Sequence, residues 1–323
     1  MKKAVVLGAG GFIGSHLVKR LKTEGFYVIG ADLVNPEFSP TQADKFLIGD
    51  LRDIHFVEEV IPDDCDELYQ LAADMGGAGY IFTGLHDADV MHNSAQINLN
   101  VAHIATKKKV KALFYSSSAC IYPEFNQLDP ENPMCEESSA YPAQPDSEYG
   151  WEKLFSERMY FSYHRNYGLN VKIARFHNIY GNESAWNNGK EKAPAALCRK
   201  VAEVENGGTV EIWGDGKQTR SFLYIEDCLD GITKLIRSDL TGPYNIGSEE
   251  MISINDFAKL IAGITGKEIN IKNIDGPLGV RGRNSDNRKI SSELGWQPKY
   301  SLNEGIKMLY EWIVKEVDAN NNH

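Results

Sequence analysis

The first turn of this chain limits what it can fold into more than any other feature. A short apolar run, Ala4-Val5-Val6-Leu7, leads into Gly8-Ala9-Gly10-Gly11-Phe12-Ile13-Gly14. A helical stretch follows, with Phe12, Ile13, Leu17, Val18 and Leu21 on one face. Glycines at this spacing, after a strand and before a helix, let the backbone approach a pyrophosphate at the helix N-terminus. The next strand ends in Asp32, 18 residues past Gly14, where a carboxylate reaches both ribose hydroxyls of an adenosine. No Arg follows in Leu33-Val34-Asn35, so a 2′-phosphate would meet only negative charge, and NAD is expected over NADP. A plain tight turn with a solvated Asp is the competing reading. Gly8, Gly11, Phe12, Ile13, Gly14 and Asp32 form the expected cofactor-binding set. Asp50 and Leu51, after the third strand, fit either an adenine contact or an ordinary surface position.

The remaining pattern agrees with such a start. Apolar runs at Tyr27–Ala31, Phe46–Ile48, Glu67–Ala73, Ala112–Ser116 and Val171–Phe176 alternate with helical stretches. One long helix carries Val90, Ile97, Val101 and Ile104. Continuous apolar strands between helices imply an α/β fold, a Rossmann-type doubly wound parallel sheet. From about residue 177 polar loops break up shorter elements, and Ser253-Ile-Asn-Asp256 and Ser301-Leu-Asn-Glu304 look like capping boxes. The reading is a cofactor domain over 1–176 and a smaller mixed α/β C-terminal substrate domain over 177–323, with segments returning to the first. The tail Asp318 to His323 is expected to fray.

Composition narrows the partners. With 34 Lys plus Arg against 45 Asp plus Glu, the net charge is −11, the wrong sign for tracking nucleic-acid phosphates. No apolar stretch is long enough for a membrane span. The first strand begins at once, leaving no room for a signal peptide. Five Cys without CxxC spacing suggest reduced thiols and a cytoplasmic location, and the eight His show no metal spacing.

The chemistry concentrates in Tyr149-Gly-Trp-Glu-Lys153. Residues i and i+4 share a helix face, so the Lys153 ammonium lies beside the Tyr149 phenol. Lowering a phenol pKa from near 10 by about 3 units takes roughly 4 kcal/mol of preferential phenolate stabilisation. Lys153 together with an oxidised nicotinamide supplies that. Ser118 closes the fifth strand and reaches the same substrate oxygen.

On these residues the chain resembles the extended short-chain dehydrogenase/reductase family of nucleotide-sugar-modifying enzymes, almost end to end. The resemblance includes Arg175-Phe-His-Asn178-Ile-Tyr-Gly181, Gly214-Asp-Gly-Lys-Gln218-Thr-Arg220-Ser-Phe222 and Leu294-Gly-Trp-Gln-Pro298. Gln70 replaces a His common before Leu-Ala, and Asn182 a Pro common after Tyr-Gly. Four further segments, Ala73-Asp-Met-Gly76-Gly77, Ser118-Ala-Cys120-Ile-Tyr-Pro, Glu191-Lys192-Ala193-Pro and Gly279-Val-Arg281-Gly-Arg283-Asn-Ser-Asp286, resemble the members that invert a GDP-bound mannose at C3 and C5.

That resemblance implies NAD as cofactor, a transient 4-keto sugar, and a homodimer. It implies Cys120 and Lys192 as an acid/base pair, and Gly76, Gly77, Ser118, Asn178, Glu191, Ala193, Lys200, Gln218, Arg220 and Arg281 as substrate contacts. A ketone at C4 acidifies the C3 and C5 protons, and inversion needs a base on one face and an acid on the other. Thiol and ammonium, with reference pKa values of about 8.5 and 10.4, can be tuned to both roles. Taken singly, Cys120 reads as a small buried residue, Lys192 as a solvated lysine, and Arg281 and Arg283 as loop charges. Other outcomes at the same 4-keto stage are 4-epimerisation, decarboxylation and 4,6-dehydration. A silent NAD-binding protein is the alternative of a different class.

Overall fold

Successive residues of the first strand enter different cores. Ala4 and Val6 of β1 (Lys3–Leu7) lie in one hydrophobic cluster and Val5 and Leu7 in another, because side chains alternate faces along a strand. All four are fully buried, as a parallel sheet covered on both sides requires. The computed structural model describes residues 1–276 and 279–321. Its main sheet contains β1, β2 (Tyr27–Asp32), β3 (Lys45–Ile48), β4 (Glu67–Gln70), β5 (Ala112–Ser118), β6 (Val171–Phe176) and β7 (Tyr244–Ile246). The strands lie in the order β7-β6-β5-β4-β1-β2-β3, every neighbouring pair parallel. This is the doubly wound α/β architecture expected from the strand and helix pattern.

Helices Ile54–Val60, Asp87–Lys107 and Glu148–Tyr167 cover one face through Val57, Val101, Ile104 and Tyr160. Helices Phe12–Thr23 and Ile225–Ile236 cover the other. There the core continues unbroken into the second half of the chain, through Leu197, Phe257 and Leu302. That half adds short sheets of mixed direction. Thr219–Ser221 pairs antiparallel with Met251–Ser253 and parallel with Gly282–Arg283, and Thr209–Trp213 pairs parallel with Asn270–Ile274.

Both capping boxes form. The Asp256 N–H donates to Ser253 Oγ at 3.1 Å, while Ser301 and Glu304 exchange side-chain to backbone bonds of 2.9 and 3.3 Å. The last helix, Leu302–Asn321, carries a buried stripe of Leu302, Ile306, Leu309, Ile313 and Val317. The helix runs on through Asn321, into the segment expected to fray, although residues 318–320 are exposed and the stripe ends at Val317. Residues 322–323 lie outside the described residues.

Strand order reverses between β1 and β4, and the crevice at their carboxyl ends is where such sheets bind ligands. Two glycines set its walls. Gly8 has φ +85°, and a Cβ there would lie 2.8 Å from the Ala72 amide nitrogen; a Cβ on Gly14 would lie 2.0 Å from the Gly8 carbonyl oxygen. Both obstacles are backbone, which cannot rotate away. We therefore expect Gly14→Ala to lower stability by about 1–3 kcal/mol, read as a lower urea midpoint at unchanged slope.

Candidate active site

The turn Gly8–Gly14 presents an open helix end. Gly11 caps helix Phe12–Thr23 without a side-chain hydrogen bond, and no acidic residue occupies the first turn. The leading N–H groups are thus left for an anion. A Cβ on Gly11 would meet the protein only at an ordinary 3.4 Å, so the space its missing side chain leaves belongs to the crevice. Asp32 accepts from Gly10 N at 2.9 Å and Leu33 N at 2.7 Å. Each carboxylate oxygen has a second lone pair for a ribose hydroxyl. The residues therefore fit a dinucleotide. Asp50 pairs with Arg52 at 2.6 Å and Leu51 is buried; the Gly49 amide before them donates to the Asp32 carbonyl at 3.0 Å, which sets this segment beside the strand end that carries Asp32.

Past the crevice, β5 ends in Ser118, whose Oγ accepts from Cys120 N at 3.2 Å and so starts the single 3-10 turn Ala119–Ile121. Helix Glu148–Tyr167 begins at Ser147, whose Oγ accepts from Gly150 N at 3.3 Å. It packs so closely on the Cys120 turn that a Cβ on Gly150 would lie 2.1 Å from the Cys120 carbonyl oxygen. Gly150 is what lets Tyr149 approach Ser118 and Cys120. Lys153, one turn on, is buried, donates to Ser116 O at 2.9 Å, and lies 5.6 Å from the centre of the Tyr149 ring. Burial raises the Tyr149 phenol pKa, the charges of Cys120 and Glu152 add to this, and the Ser118 contact opposes it. Burial lowers the Lys153 pKa, while Glu152, Glu157 and Cys120 push it up. In the protein alone, burial rather than Lys153 sets the direction of the Tyr149 shift.

Lys192 arrives from the other half of the chain as the N-cap of helix Ala193–Glu203, with Ala193 and Pro194 opening that helix. Protein surrounds it, which lowers its pKa, and Cys120 is the largest influence in the opposite direction. The cleft nevertheless leaves the side chain open to water. Gly77 allows its segment to touch this stretch, since a Cβ there would lie 2.7 Å from the Glu191 carbonyl oxygen; Gly76 beside it packs on Tyr80. Asn178, at φ 46°, donates to Ser221 O, Lys200 to Glu211 O, and Gln218 to Trp213 O. Gln218 Oε1 and Glu191 Oε2 are buried without a hydrogen-bond partner. Arg220 shares the site with Arg283, and burial and that like charge lower its pKa. Arg281 is paired with Asp215 through two bonds of 3.0 Å.

Of the two readings open for Arg283, a solvated loop charge or a cation for the pyrophosphate, the first does not describe it. It is 5% exposed and donates to Gln127 at 2.5 Å, Asp146 at 3.2 Å and Cys120 Sγ at 3.3 Å. Its partners are 156, 137 and 163 residues away, so no local signal marks it.

A doubly wound sheet with an anion-ready first turn and a Ser, Tyr and Lys grouped beside it defines a class, the dinucleotide-dependent enzymes that oxidise and reduce a substrate hydroxyl. Residues 4–247 match the NAD dependent epimerase/dehydratase family, and the chain belongs to it. It is 44% identical over 318 residues to GDP-mannose 3,5-epimerase of Arabidopsis thaliana, covering 98% of this chain and 83% of the relative. It is 43% identical to GDP-mannose 3,5-epimerase 1 of Oryza sativa subsp. indica, covering 97% and 82%. Among solved structures it is similar to the UDP-glucose 4-epimerase of Thermotoga maritima, with TM-score 0.82, 25% identity and 98% and 99% coverage.

The cofactor is NAD, and Asp32 is expected to set the choice against NADP. A carboxylate about 4 Å from a doubly charged phosphate in a water-like medium costs about 2 kcal/mol, roughly thirtyfold in affinity. Calorimetry should show NAD⁺ binding tighter by about that factor, with the gap closing in Asp32→Ala.

Proposed function

We propose that this protein inverts C3 and C5 of GDP-mannose, giving GDP-L-galactose and, by inversion at C5 alone, GDP-L-gulose. The observation that carries this reading is that Cys120, beside Ser118 and Tyr149, is close enough to Lys192 to act on its charge. Ser118, Tyr149 and Lys153 suffice for oxidation and reduction at C4. Two further ionisable groups from opposite halves of the chain are what inversion next to a ketone needs.

NAD⁺, when bound, supplies reversible oxidation at C4. Tyr149 Oη takes the proton from the 4-hydroxyl, Ser118 Oγ holds that oxygen, and Lys153 stabilises the phenolate. Cys120 Sγ and Lys192 Nζ exchange protons at the carbons flanking the carbonyl, one from each face of the ring. Tyr149 then returns its proton to O4. Arg220 and Arg281 hold the pyrophosphate, whose double negative charge relieves the like-charge crowding around Arg220 and Arg283. Asn178, Lys200 and Gln218 hold the remainder of the nucleotide. The exposed Leu99, Trp151 and Phe155, on helices Asp87–Lys107 and Glu148–Tyr167, offer the face for a second copy. Five free thiols suit the cytoplasm. Among the described residues no helix is long and apolar enough to cross a membrane.

In heavy water with GDP-mannose, NMR should show deuterium entering at C3 and C5 and none at C4. Cys120→Ala and Lys192→Ala should each lose epimer formation by at least a hundredfold, the scale of a positioned acid or base, while still developing some absorbance at about 340 nm from reduced nicotinamide. Tyr149→Phe should lose both signals. Full activity in the Cys120 and Lys192 variants would overturn the pair, and exchange-free C3 and C5 would point to 4-epimerisation.

The Arg281–Asp215 pair yields a second test. It is partly exposed, so it is worth about 0–1 kcal/mol. Phosphate must displace Asp215, and Asp215→Asn should tighten the nucleotide sugar by up to about fivefold. Arg281→Ala should weaken it, and more than Arg281→Lys does. Unchanged affinity in Arg281→Ala would return Arg281 to the solvent.

A further inference from the structure

We infer that Arg283 is the positioning residue for Cys120: it holds the sulfur at the edge of the cleft with one N–H aimed at it. The inference rests on the proposed role of Cys120 in proton exchange. Its ground is geometric. Arg283 enters on the short strand Gly282–Arg283, in parallel register with Thr219 and Arg220. A Cβ on Gly282 would lie 2.5 Å from the Asp129 carbonyl oxygen, so the strand is pressed against the loop that follows the Cys120 turn. The guanidinium is planar, and its donors are fixed relative to one another. Nε donates to Gln127 Oε1 at 2.5 Å and Nη2 to Asp146 Oδ2 at 3.2 Å, which leaves Nη1 aimed at Cys120 Sγ at 3.3 Å. Gln127 is itself fixed, because its amide donates to the Tyr122 and Pro123 carbonyls at 3.1 and 3.2 Å. The Arg283 and Asp146 side chains are 6% and 7% exposed, so water screens the charge on the sulfur weakly.

Other groups also face Cys120. Lys153 and Tyr149 do so from helix Glu148–Tyr167, Lys192 from the N-cap of helix Ala193–Glu203, and Arg220 from the strand beside Arg283. The first three are groups that gain or lose protons or serve the phenol in the proposed cycle. Arg283 remains a cation throughout, because a guanidinium does not deprotonate in proteins. A permanent cation with an N–H directed at sulfur favours the thiolate over the thiol, and the thiolate is the form that removes a proton or attacks an alkylating agent.

Cys65, Cys135, Cys198 and Cys228 are buried and Cys120 is half-buried, so alkylation reads Cys120 selectively. The test is the rate of iodoacetamide labelling of the Cys120 peptide against pH, in folded protein loaded with NAD⁺, with Cys120→Ser as the blank. Arg283→Gln should label about tenfold more slowly at pH 7. Arg283→Lys should recover part of the rate. If Arg283→Gln fails to fold by circular dichroism, Asp146→Asn takes its place; it keeps the guanidinium, removes the anion that shares its charge with the sulfur, and should speed labelling. An unchanged profile in a folded variant would reduce Arg283 to a strut between loops and overturn the inference. The labelling needs no sugar, so it reads the Arg283 to Cys120 coupling even if the wild-type protein exchanges no ring deuterium, which would sink the proposed function instead.

Discussion

The whole site depends on how closely helix Glu148–Tyr167 approaches the end of β5. Two contacts set that distance. The buried Lys153 ammonium donates to the Ser116 carbonyl at 2.9 Å, and Gly150 carries no side chain where one would strike the Cys120 carbonyl. The first contact ties the helix to the strand, and the second removes the obstacle. Tyr149, Ser118 and Cys120 are neighbours because both conditions hold. Behind them Asn98 donates to Glu152 at 3.0 Å and accepts from Gln70 at 2.9 Å and Tyr160 at 3.1 Å. Arg175 and Glu157 pair at 2.8 Å, each almost fully buried. A buried polar network that is largely satisfied rigidifies what it touches, and this one is packed against the back of the catalytic helix.

The electrostatics run against the average of the molecule. A chain with net charge −11 repels anions at long range, yet the cleft gathers Lys153, Lys192, Arg220, Arg281 and Arg283. Salt screens the distant carboxylates over about 8–10 Å, whereas the cations at the site, of which Lys153 and Arg283 are buried, act at contact distance. Burying cations costs free energy that an anionic ligand recovers. A nucleotide diphosphate is therefore matched to this site by charge as well as by shape.

Much of this was legible in the sequence, for reasons that can be stated. Gly8 to Gly14, Asp32 and the Tyr149/Lys153 pair are local patterns, fixed by a turn, a strand end and one helical repeat. The seven-stranded sheet was legible up to β6, because long apolar runs announce buried parallel strands. β7 is three residues long and gives no such run. The last helix was legible from its capping box and the stripe of Leu302, Ile306, Leu309 and Ile313; only its run past Asp318 was not, because those residues carry no large apolar side chain. Arg283 was missed for a third reason: nothing in a glycine- and arginine-rich stretch tells a clamp from a loop, and its partners come from other parts of the chain.

The central claim is that one ring lies between a thiol and an ammonium, with a phenol at its C4 oxygen. A crystal structure of the protein with NAD⁺ and GDP-mannose measures this directly. The account predicts Cys120 Sγ and Lys192 Nζ on opposite faces of the hexose, each within about 3–3.5 Å of C3 or C5 or the hydrogen it carries, and Tyr149 Oη in hydrogen-bond reach of O4. A ring with both groups on one face, or with Lys192 turned to solvent, would contradict it.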